Sequence, residues 1–185
     1  ALRRPRLPAA QALLPYLHRI DAAQWYTNFG ALVKSFEARL AEHFGVTPEE
    51  VVTVANGTLG LMAALQVQGA TSGKLCVMPS FTFAATPAAA MAVGLEPYFV
   101  DVNRESWALE PAAVEAVLAK LPGEVAAVMP VSPFGAPVDA ATWDAFAVRT
   151  GIKVVLDAAG AFDALRPGKT PAMVSLHATK VLGVG

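Results

Sequence analysis

The sequence predicts an α/β fold in which a mostly parallel sheet is covered by helices on both faces. From residue 51 onward, short apolar runs rich in β-branched residues alternate with alanine-rich stretches at helical spacing. The runs are apolar throughout, which is typical of strands buried on both faces of a parallel sheet. The chain shows no internal repeat, low-complexity tract or linker. One layered α/β domain over residues 51–185 is therefore expected.

An N-terminal helical segment is expected over residues 1–50. Leu13, Leu14 and Leu17 give its first helix a short apolar stripe. The spacing predicts a second helix over 31–44, and Gly45 is a residue type that commonly follows a helix end. The apolar face of that second helix holds Val33, Phe36, Leu40 and Phe44.

The alternation that follows predicts six strands and at least four helices. The expected strands are 51–54, 75–78, 97–100, 126–129, 154–156 and 172–174. The expected helices lie within 59–65, 84–93, 112–118 and 140–147.

Composition excludes several classes of protein. The 185 residues are 55% hydrophobic and 16% charged, with a net charge of −1, which indicates a well-buried chain and not a disordered one. Nothing in this balance favours a nucleic-acid surface. The basic cluster Arg3, Arg4 and Arg6 is interpreted as a solvated arm.

The single cysteine and the lengths of the apolar stretches bear on where in the cell the protein is expected. Cys76 stands alone in an apolar run, which predicts neither a disulfide nor a metal site and suits a reducing cytoplasm. No apolar stretch reaches the roughly 18 residues that a bilayer span needs, and no signal peptide is visible. No group of His, Cys, Asp or Glu has metal-ligand spacing. A cytoplasmic protein without a membrane segment or a metal is expected.

Ligands in open α/β sheets gather at the carboxyl ends of the strands, and the polar residues that follow the expected strands are therefore the candidates. Gly57 and Thr58 open a helix and could offer backbone N–H groups and a hydroxyl to a phosphate. A simple helix cap explains Thr58 equally well. Phe81 and Phe83 could stack on a flat ring, although the segment taken alone favours a place in the core.

Two expected strands end in a carboxylate, Asp101 and Asp157. A charge beside such apolar runs needs a partner, which could be an N–H group, a cation or a cofactor. Helix capping is the alternative for both, and spacing alone does not choose between them.

Lys180 lies in a segment that has no carboxylate for many residues on either side. Partial burial there would favour the neutral amine that attacks a carbonyl carbon. The alternative is a surface lysine whose stem lies along the protein while its amine reaches water. His177 lies close to it in sequence.

The order of these features along the chain resembles the DegT/DnrJ/StrS family of fold-type I, pyridoxal-phosphate (PLP)-dependent aminotransferases that act on keto sugars attached to nucleotides. The matching stretches cover nearly the whole chain in family order. They are Tyr26–Gly30, Asn56–Thr58, Pro79–Thr86, Val100–Val102, Phe134–Asp139, Asp157–Ala159 and Ser175–Lys180.

The resemblance implies a role for each candidate. Lys180 would hold PLP as a Schiff base and shuttle a proton, and Asp157 would pair with the protonated pyridine nitrogen, leaving Asp101 a structural role. The other cofactor-binding residues implied are Gly57, Thr58 and Ser175 at the phosphate and Phe83 against the ring. Glutamate as donor, a nucleotide-sugar substrate for polysaccharide or other sugar biosynthesis, and a homodimer are implied as well.

Three departures from the family pattern are visible. Gly160 stands where the family usually has glutamine, and Ser132 where close relatives often have histidine. The chain also ends shortly after Lys180, so the large PLP-binding domain is expected to be incomplete and the small C-terminal domain to be missing.

Two hypotheses about the function follow from these features. Sugar dehydratases of the family carry histidine at the lysine position, so Lys180 favours transamination. A non-catalytic scaffold or sensor that keeps the fold is the alternative, and Gly160 together with the short length motivates it. Lyase or desulfurase chemistry would share Lys180 and Asp157, but the stretches around Pro79 and Ser175 suit those groups less well.

Overall fold

Two helices precede the sheet: α1 spans Ala10–Ala23 and α2 spans Ala31–Phe44. Both are predicted from the sequence and both are confirmed in the computed structural model, which describes residues 5–184. Gly45 ends α2 with a φ of 67°, a left-handed conformation that glycine adopts without steric cost. Arg3 and Arg4 lie outside the described residues, and Arg6 is exposed.

The two N-terminal helices differ in how they pack. Helix α2 buries Leu40 and Ala41. Helix α1 buries no residue, and its predicted stripe of Leu13, Leu14 and Leu17 is 43–51% exposed. The apolar face of α1 is therefore uncovered in the described chain.

Helices and strands then alternate as the sequence predicts. The helices are α3 (Gly57–Val67), α4 (Ala85–Ala92), α5 (Pro111–Leu118) and α6 (Ala140–Thr150). The strands are β1 (Leu75–Pro79), β2 (Glu96–Val100), β3 (Val125–Val128), β4 (Lys153–Val154), β5 (Leu156–Asp157) and β6 (Ala172–Met173). Within residues 5–184, no helix combines the length and the apolar character that a membrane crossing requires.

All pairs formed by these strands are parallel, as expected. Strands β2, β1, β3 and β4 form one sheet in that order, and β5 pairs with β6. A parallel bridge between Val131 and Asp157 connects the chain after β3 to the end of β5. The carboxyl ends of the strands consequently meet along one edge.

Alternate residues of the central strands pack on opposite faces of the sheet. Cys76 and Met78 belong to the cluster that includes Leu61 and Leu65 of α3. Val77 belongs to a second cluster, formed with helices α5 and α6. The prediction of helices on both faces is confirmed, and it explains why the central strands β1 and β3 are apolar at every position. Burial raises the pKa of the Cys76 thiol to about 12.

Two strand predictions are wrong in detail. Residues 51–54 belong to no strand, and Val52 is 75% exposed. A run of β-branched residues forms a strand only where a neighbouring backbone supplies hydrogen bonds, and no strand lies beside this run in the described chain. The predicted strand 154–156 is divided, because the Val155 N–H donates to Val128 O while the Leu156 N–H donates to Pro171 O, which precedes β6. This run joins the two sheets.

Candidate active site

The candidate residues lie at the carboxyl edge of the sheet. Asp157 ends β5, Phe83 follows β1, and Ser175 and Lys180 follow β6. Gly57 is the first residue of α3. The sequence spreads these five residues over more than a hundred positions, and the parallel topology returns them to one end of the sheet.

Asp157 is the most constrained of them. Its residue is 4% exposed, and its two carboxylate oxygens each accept a hydrogen bond. Oδ2 accepts from the Thr86 hydroxyl at 2.7 Å, and Oδ1 accepts from the Ala159 N–H at 3.2 Å. The carboxylate is therefore held in one orientation.

Burial raises the pKa of Asp157 above the ordinary aspartate value of 3.8. The hydrogen bonds from Thr86 and Ala159 and the positive charge of Lys180 oppose this effect by favouring the ionised form. Lys180 acts through space, because the ion pairs of residues 5–184 do not include these two groups. A buried carboxylate of this kind needs a cationic partner to carry its charge at low cost.

Thr86 is a further candidate residue of the site, and the sequence reasoning missed it. It lies in α4, is 0% exposed, and donates its hydroxyl proton to Asp157. The hydroxyl of Thr82 lies 2.6 Å from that of Thr86, so Thr86 can accept from Thr82 while donating to the carboxylate. The stretch 79–86 matches a family motif, but no spacing rule connects position 86 to a strand end 71 residues later.

Lys180 follows a turn at the end of the described chain. Its N–H donates to His177 O at 2.8 Å, and the ring Nδ1 of His177 lies 2.9 Å from the Thr179 hydroxyl. Lys180 itself is partly buried. The turn therefore holds the lysine backbone while the residue stays partly exposed.

Asn56, and not Thr58, caps helix α3. Its side-chain oxygen accepts the Leu59 N–H at 3.0 Å. The capping explanation for Thr58 is thus wrong, and its hydroxyl has no hydrogen bond within residues 5–184. The N–H groups at a helix start point away from the helix without intrahelical partners.

Gly57 lets the start of α3 approach the sheet closely. A side chain on Gly57 would place its Cβ 3.0 Å from the Met173 sulfur in β6. The free N–H groups of α3 are in this way brought against β6, the strand that leads to Ser175. Ser175 is partly buried, and its hydroxyl accepts the His177 N–H at 3.3 Å, which leaves its own proton free to be donated.

The expectation that Phe81 and Phe83 join the core is wrong. They are 37% and 78% exposed. Phe83 presents its ring at the open edge of the sheet, three residues before Thr86. A flat ligand seated there would have an aromatic face on one side.

Asp101 resembles Asp157 in sequence context but not in surroundings. It is exposed, and its carboxylate makes no hydrogen bond or ion pair within the described chain. It follows β2, the strand at the edge of the sheet. Water solvates this charge, so no ligand is required to balance it.

Ser132 and Gly160, the two positions that depart from the family pattern, both lie close to Asp157 or to the loop that follows it. The N–H of the buried Ser132 donates to Asp157 O at 2.9 Å. A side chain on Gly160 would place its Cβ 3.1 Å from Gly135 N. Glycine at 160 therefore permits the Phe134–Gly135 turn to lie directly on the loop that follows Asp157.

The residues present suit PLP on chemical grounds. Asp157 is a buried acceptor for a protonated ring nitrogen, and Lys180 is an amine that can bond an aldehyde carbon. The start of α3 and the Ser175 hydroxyl offer donors to a phosphate. A cleft of about 480 Å³ beside Lys74, Glu124 and Lys153 lies at the opposite ends of the strands and contains none of these groups.

Comparisons with known proteins agree with this arrangement. A family model described as the DegT/DnrJ/EryC1/StrS aminotransferase family matches residues 9–185. A dTDP-4-amino-4,6-dideoxy-D-glucose transaminase of Shigella dysenteriae is 33% identical over 96% of this chain and 48% of its own length.

Solved structures show the same fold. A protein of Bacillus cereus ATCC 10987, assigned as a PLP-dependent aminotransferase, superposes with a TM-score of 0.85 at 37% identity, over 98% of this chain and 51% of that one. The structure of DesI with its TDP-sugar product gives 0.78 at 33% identity, over 96% and 45% of the two chains. The chain spans about half the length of the curated relatives that it matches.

Proposed function

The chain belongs to the DegT/DnrJ/EryC1/StrS aminotransferase family, and on this premise we propose that the whole protein is a PLP-dependent aminotransferase. Its acceptor would be a keto sugar attached to a nucleotide, and its donor would be glutamate. The product would serve polysaccharide or other sugar biosynthesis. The relative that makes an amino sugar on dTDP and the relative structure that holds a TDP-sugar support this substrate class.

The observation that carries the proposal is the environment of Asp157. Its carboxylate is buried, fixed by two hydrogen bonds and within electrostatic reach of Lys180. A buried, ionised carboxylate carries a desolvation cost that a cationic partner offsets, and a pyridinium N–H is such a cation.

Each proposed residue has a separate task. When bound, PLP supplies an electron-withdrawing ring that takes up the electrons released when a carbon-bound proton is removed. Asp157 keeps the proton on the ring nitrogen and so maintains that capacity. The Lys180 amine would hold the cofactor and, once displaced by the amino donor, would carry the proton that leaves or joins the substrate carbon at its Nζ atom. Gly57, Thr58 and Ser175 bind the phosphate, and Phe83 covers one face of the ring.

The test is spectroscopic and uses the whole protein. Protein supplied with PLP is expected to show a visible absorbance band, and borohydride should fix the cofactor onto Lys180, as peptide mass spectrometry would locate. Lys180→Ala should abolish both. The matched control is Lys169→Ala, because Lys169 is an exposed lysine that is not among the candidate site residues. A missing band in the wild type, or an unchanged band in Lys180→Ala, refutes the proposal.

A non-catalytic scaffold is the competing proposal, and Gly160 favours it because the contact expected from glutamine is missing. An assay of amine transfer distinguishes the scaffold from the aminotransferase. Protein that binds PLP through Lys180 but does not convert the cofactor to its amine form with glutamate, or with any other amino acid, is a scaffold or sensor. Conversion of the absorbance band by glutamate supports the aminotransferase.

We also propose a homodimer in the cytoplasm. Helix α1 buries nothing and leaves an apolar stripe uncovered, and Trp25, Tyr26 and Phe29 beyond it are 52–70% exposed. Exposed apolar patches of this kind commonly mark an interface, and a second copy would bury both patches by symmetry. The single free thiol Cys76 suits a reducing compartment.

Sedimentation tests the dimer. Leu17→Glu is expected to shift the protein towards monomer, since a charge would be placed inside the contact. Val67→Glu is the control, because Val67 is an isolated apolar residue on α3 that is 86% exposed. A monomeric wild type would contradict the proposed dimer. If Leu17→Glu and Val67→Glu dimerise equally well, α1 does not form the dimer interface.

A further inference from the structure

Three aromatic side chains form a cluster at the carboxyl edge of the sheet, called here the aromatic platform: Phe81, Trp107 and Phe134. Each comes from a different loop, following β1, β2 and β3 respectively. Ring centroids are 5.0 Å apart for Phe81 and Trp107, 5.4 Å for Phe81 and Phe134, and 6.4 Å for Trp107 and Phe134. Aromatic pairs at these distances attract one another.

The platform faces solvent. Phe81 is 37% exposed, Trp107 48% and Phe134 89%. Burial of the rings within this domain therefore does not explain their grouping, because much of their apolar surface remains in water.

Backbone strain supports a functional origin for the platform. Trp107 has a φ of 58° and Phe134 a φ of 51°, a left-handed conformation that is unusual for bulky residues. Bulky residues in such conformations persist where surrounding structure enforces them, and they concentrate at functional sites. Two of the three platform residues carry this strain.

The surrounding structure does enforce both conformations. The Trp107 N–H donates to Asn103 O at 2.9 Å, and the Asn103 side chain accepts from the N–H groups of Glu105 and Ser106. Phe134 is held by Gly135, whose position is so close to the next loop that a Cβ there would lie 2.5 Å from Gly160 O. The rings are thus presented by rigid turns.

The platform is connected to the candidate active site. Phe81 precedes Phe83 by two residues, and the turn of Phe134 rests on Gly160, three residues after Asp157. Ser132, just before that turn, donates its N–H to Asp157 O. A substrate whose reacting carbon lies at Lys180 could therefore extend a second group along this edge.

We infer that the aromatic platform binds the base of the nucleotide sugar by stacking, an inference that rests on the proposed function. The base is the planar aromatic part of such a substrate, and stacking of a base on an aromatic ring contributes about 1–3 kcal/mol. Phe134, which is nearly fully exposed, offers an open ring face, and Trp107 supports it edge-on while Phe81 packs against it at a tilt. Glycine at position 160 supports the same inference. A side chain there would press against Gly135 and shift the turn that carries Phe134.

The experiment measures binding of dTDP and of UDP to the whole PLP-loaded protein, by calorimetry and by the part of the tryptophan fluorescence quenching that is lost in Trp107→Phe. Wild-type protein is expected to bind at least one of them. Trp107→Leu and Phe134→Leu should each weaken that binding by about 10-fold, which corresponds to about 1.4 kcal/mol. Trp107→Phe should retain most of the affinity because a ring remains at position 107.

Phe99→Leu is the matched control, because Phe99 is a 51% exposed aromatic residue of β2 that lies outside the platform. Its nucleotide affinity should equal that of the wild type. The PLP absorbance band should be unchanged in all of these variants, which separates failure here from failure of the proposed function.

Two results would overturn the inference. One is wild-type protein that shows the PLP band yet binds neither nucleotide. The other is unchanged nucleotide affinity in both leucine variants, and if these variants also lose the dimer in sedimentation, the platform is a contact between two copies of the chain.

Discussion

Asp101 and Asp157 end two strands with almost the same sequence, yet the fold gives them opposite surroundings. Asp101 follows Phe99 and Val100 on the edge strand β2 and is exposed. Asp157 follows Val155 and Leu156, is 4% exposed and accepts two hydrogen bonds.

The difference arises from position in the sheet. Strand β2 has a neighbour on one side only, whereas β5 pairs with β6 and is bridged to Val131 on its other side. Backbone therefore flanks Asp157 on both sides, and helix α4 adds the Thr86 hydroxyl. A carboxylate becomes useful for chemistry where the fold removes its water and fixes its orientation.

Replacing each carboxylate by its amide tests this comparison most severely. Asp157→Asn should lower cofactor-dependent amine transfer by about 100-fold or more, the scale expected when one preorganised charge contact is removed. Asp101→Asn should leave the rate unchanged. Single-turnover conversion of the cofactor band by glutamate measures both, and equal rates for the two variants would contradict the assignment.

The next largest effect is expected from removal of the Thr86 hydroxyl, which donates to Asp157. Thr86→Val keeps the shape of the side chain but leaves the Asp157 carboxylate with one hydrogen bond. Hydrogen bonds to charged groups contribute about 1.5–3 kcal/mol, and the free energy of unfolding at neutral pH should fall by that amount in urea titrations.

Two variants control for the loss of a hydroxyl in general. Thr82→Val removes a hydroxyl whose neighbour is Thr86 and not the carboxylate, so a smaller loss is expected. In the Asp157→Asn background, Thr86→Val should cost less than in the wild type. An equal cost in both backgrounds would show that Thr86 does not act through Asp157.

The pH dependence of stability follows from the raised pKa of Asp157. Because burial favours the protonated carboxyl, its contribution to stability is complete below the ordinary value of 3.8 and is lost as pH rises through the folded-state pKa. Without PLP, Asp157→Asn should therefore gain stability over the wild type as pH rises.

Urea titrations of both proteins from pH 3.8, the ordinary aspartate value, up to neutral pH measure this difference, which linkage predicts to grow between that value and the folded-state pKa. A difference that stays constant across the range would show that Asp157 does not titrate abnormally. Saturation with PLP should reduce the difference, because the ring cation then offsets the buried charge.

The smallest effect is expected at the edge strand. Asp101→Ala removes an exposed charge without a partner in the described chain, so the free energy of unfolding should change by less than about 0.5 kcal/mol. Thermal unfolding at low and high salt would show whether Asp101 has a structural role, as the family resemblance implied. A loss comparable to that of Thr86→Val would remove the contrast between the two strand ends.

Periodicity predicted most of the fold. The alternation after residue 51 gave the helices α3 to α6 and five of the strand regions, because fully apolar runs have one stable arrangement, between two layers of helices. It failed at 51–54, where composition favours a strand but no strand of the described chain pairs with this run. It also predicted helix α1 correctly without indicating that its apolar stripe is left uncovered.

The candidate site was predicted in kind but not in its supporting contacts. Motif order pointed to Asp157, Lys180, Gly57, Thr58, Phe83 and Ser175, whose roles stay predictions until the variants are measured. Thr86 and the aromatic platform were not predicted. Both depend on contacts between residues distant in sequence, for which local patterns carry no signal.

The sequence by itself determined which residue types are available and in which order they meet the sheet edge, since hydrophobic periodicity fixes strands, helices and therefore strand ends. Only the tertiary structure decided which of two equivalent carboxylates is buried. That outcome depends on whether a strand has neighbours on both sides and on which hydroxyl packs against its end. Asp157 and Asp101 are alike to a reader of the sequence, and packing alone makes them chemically different.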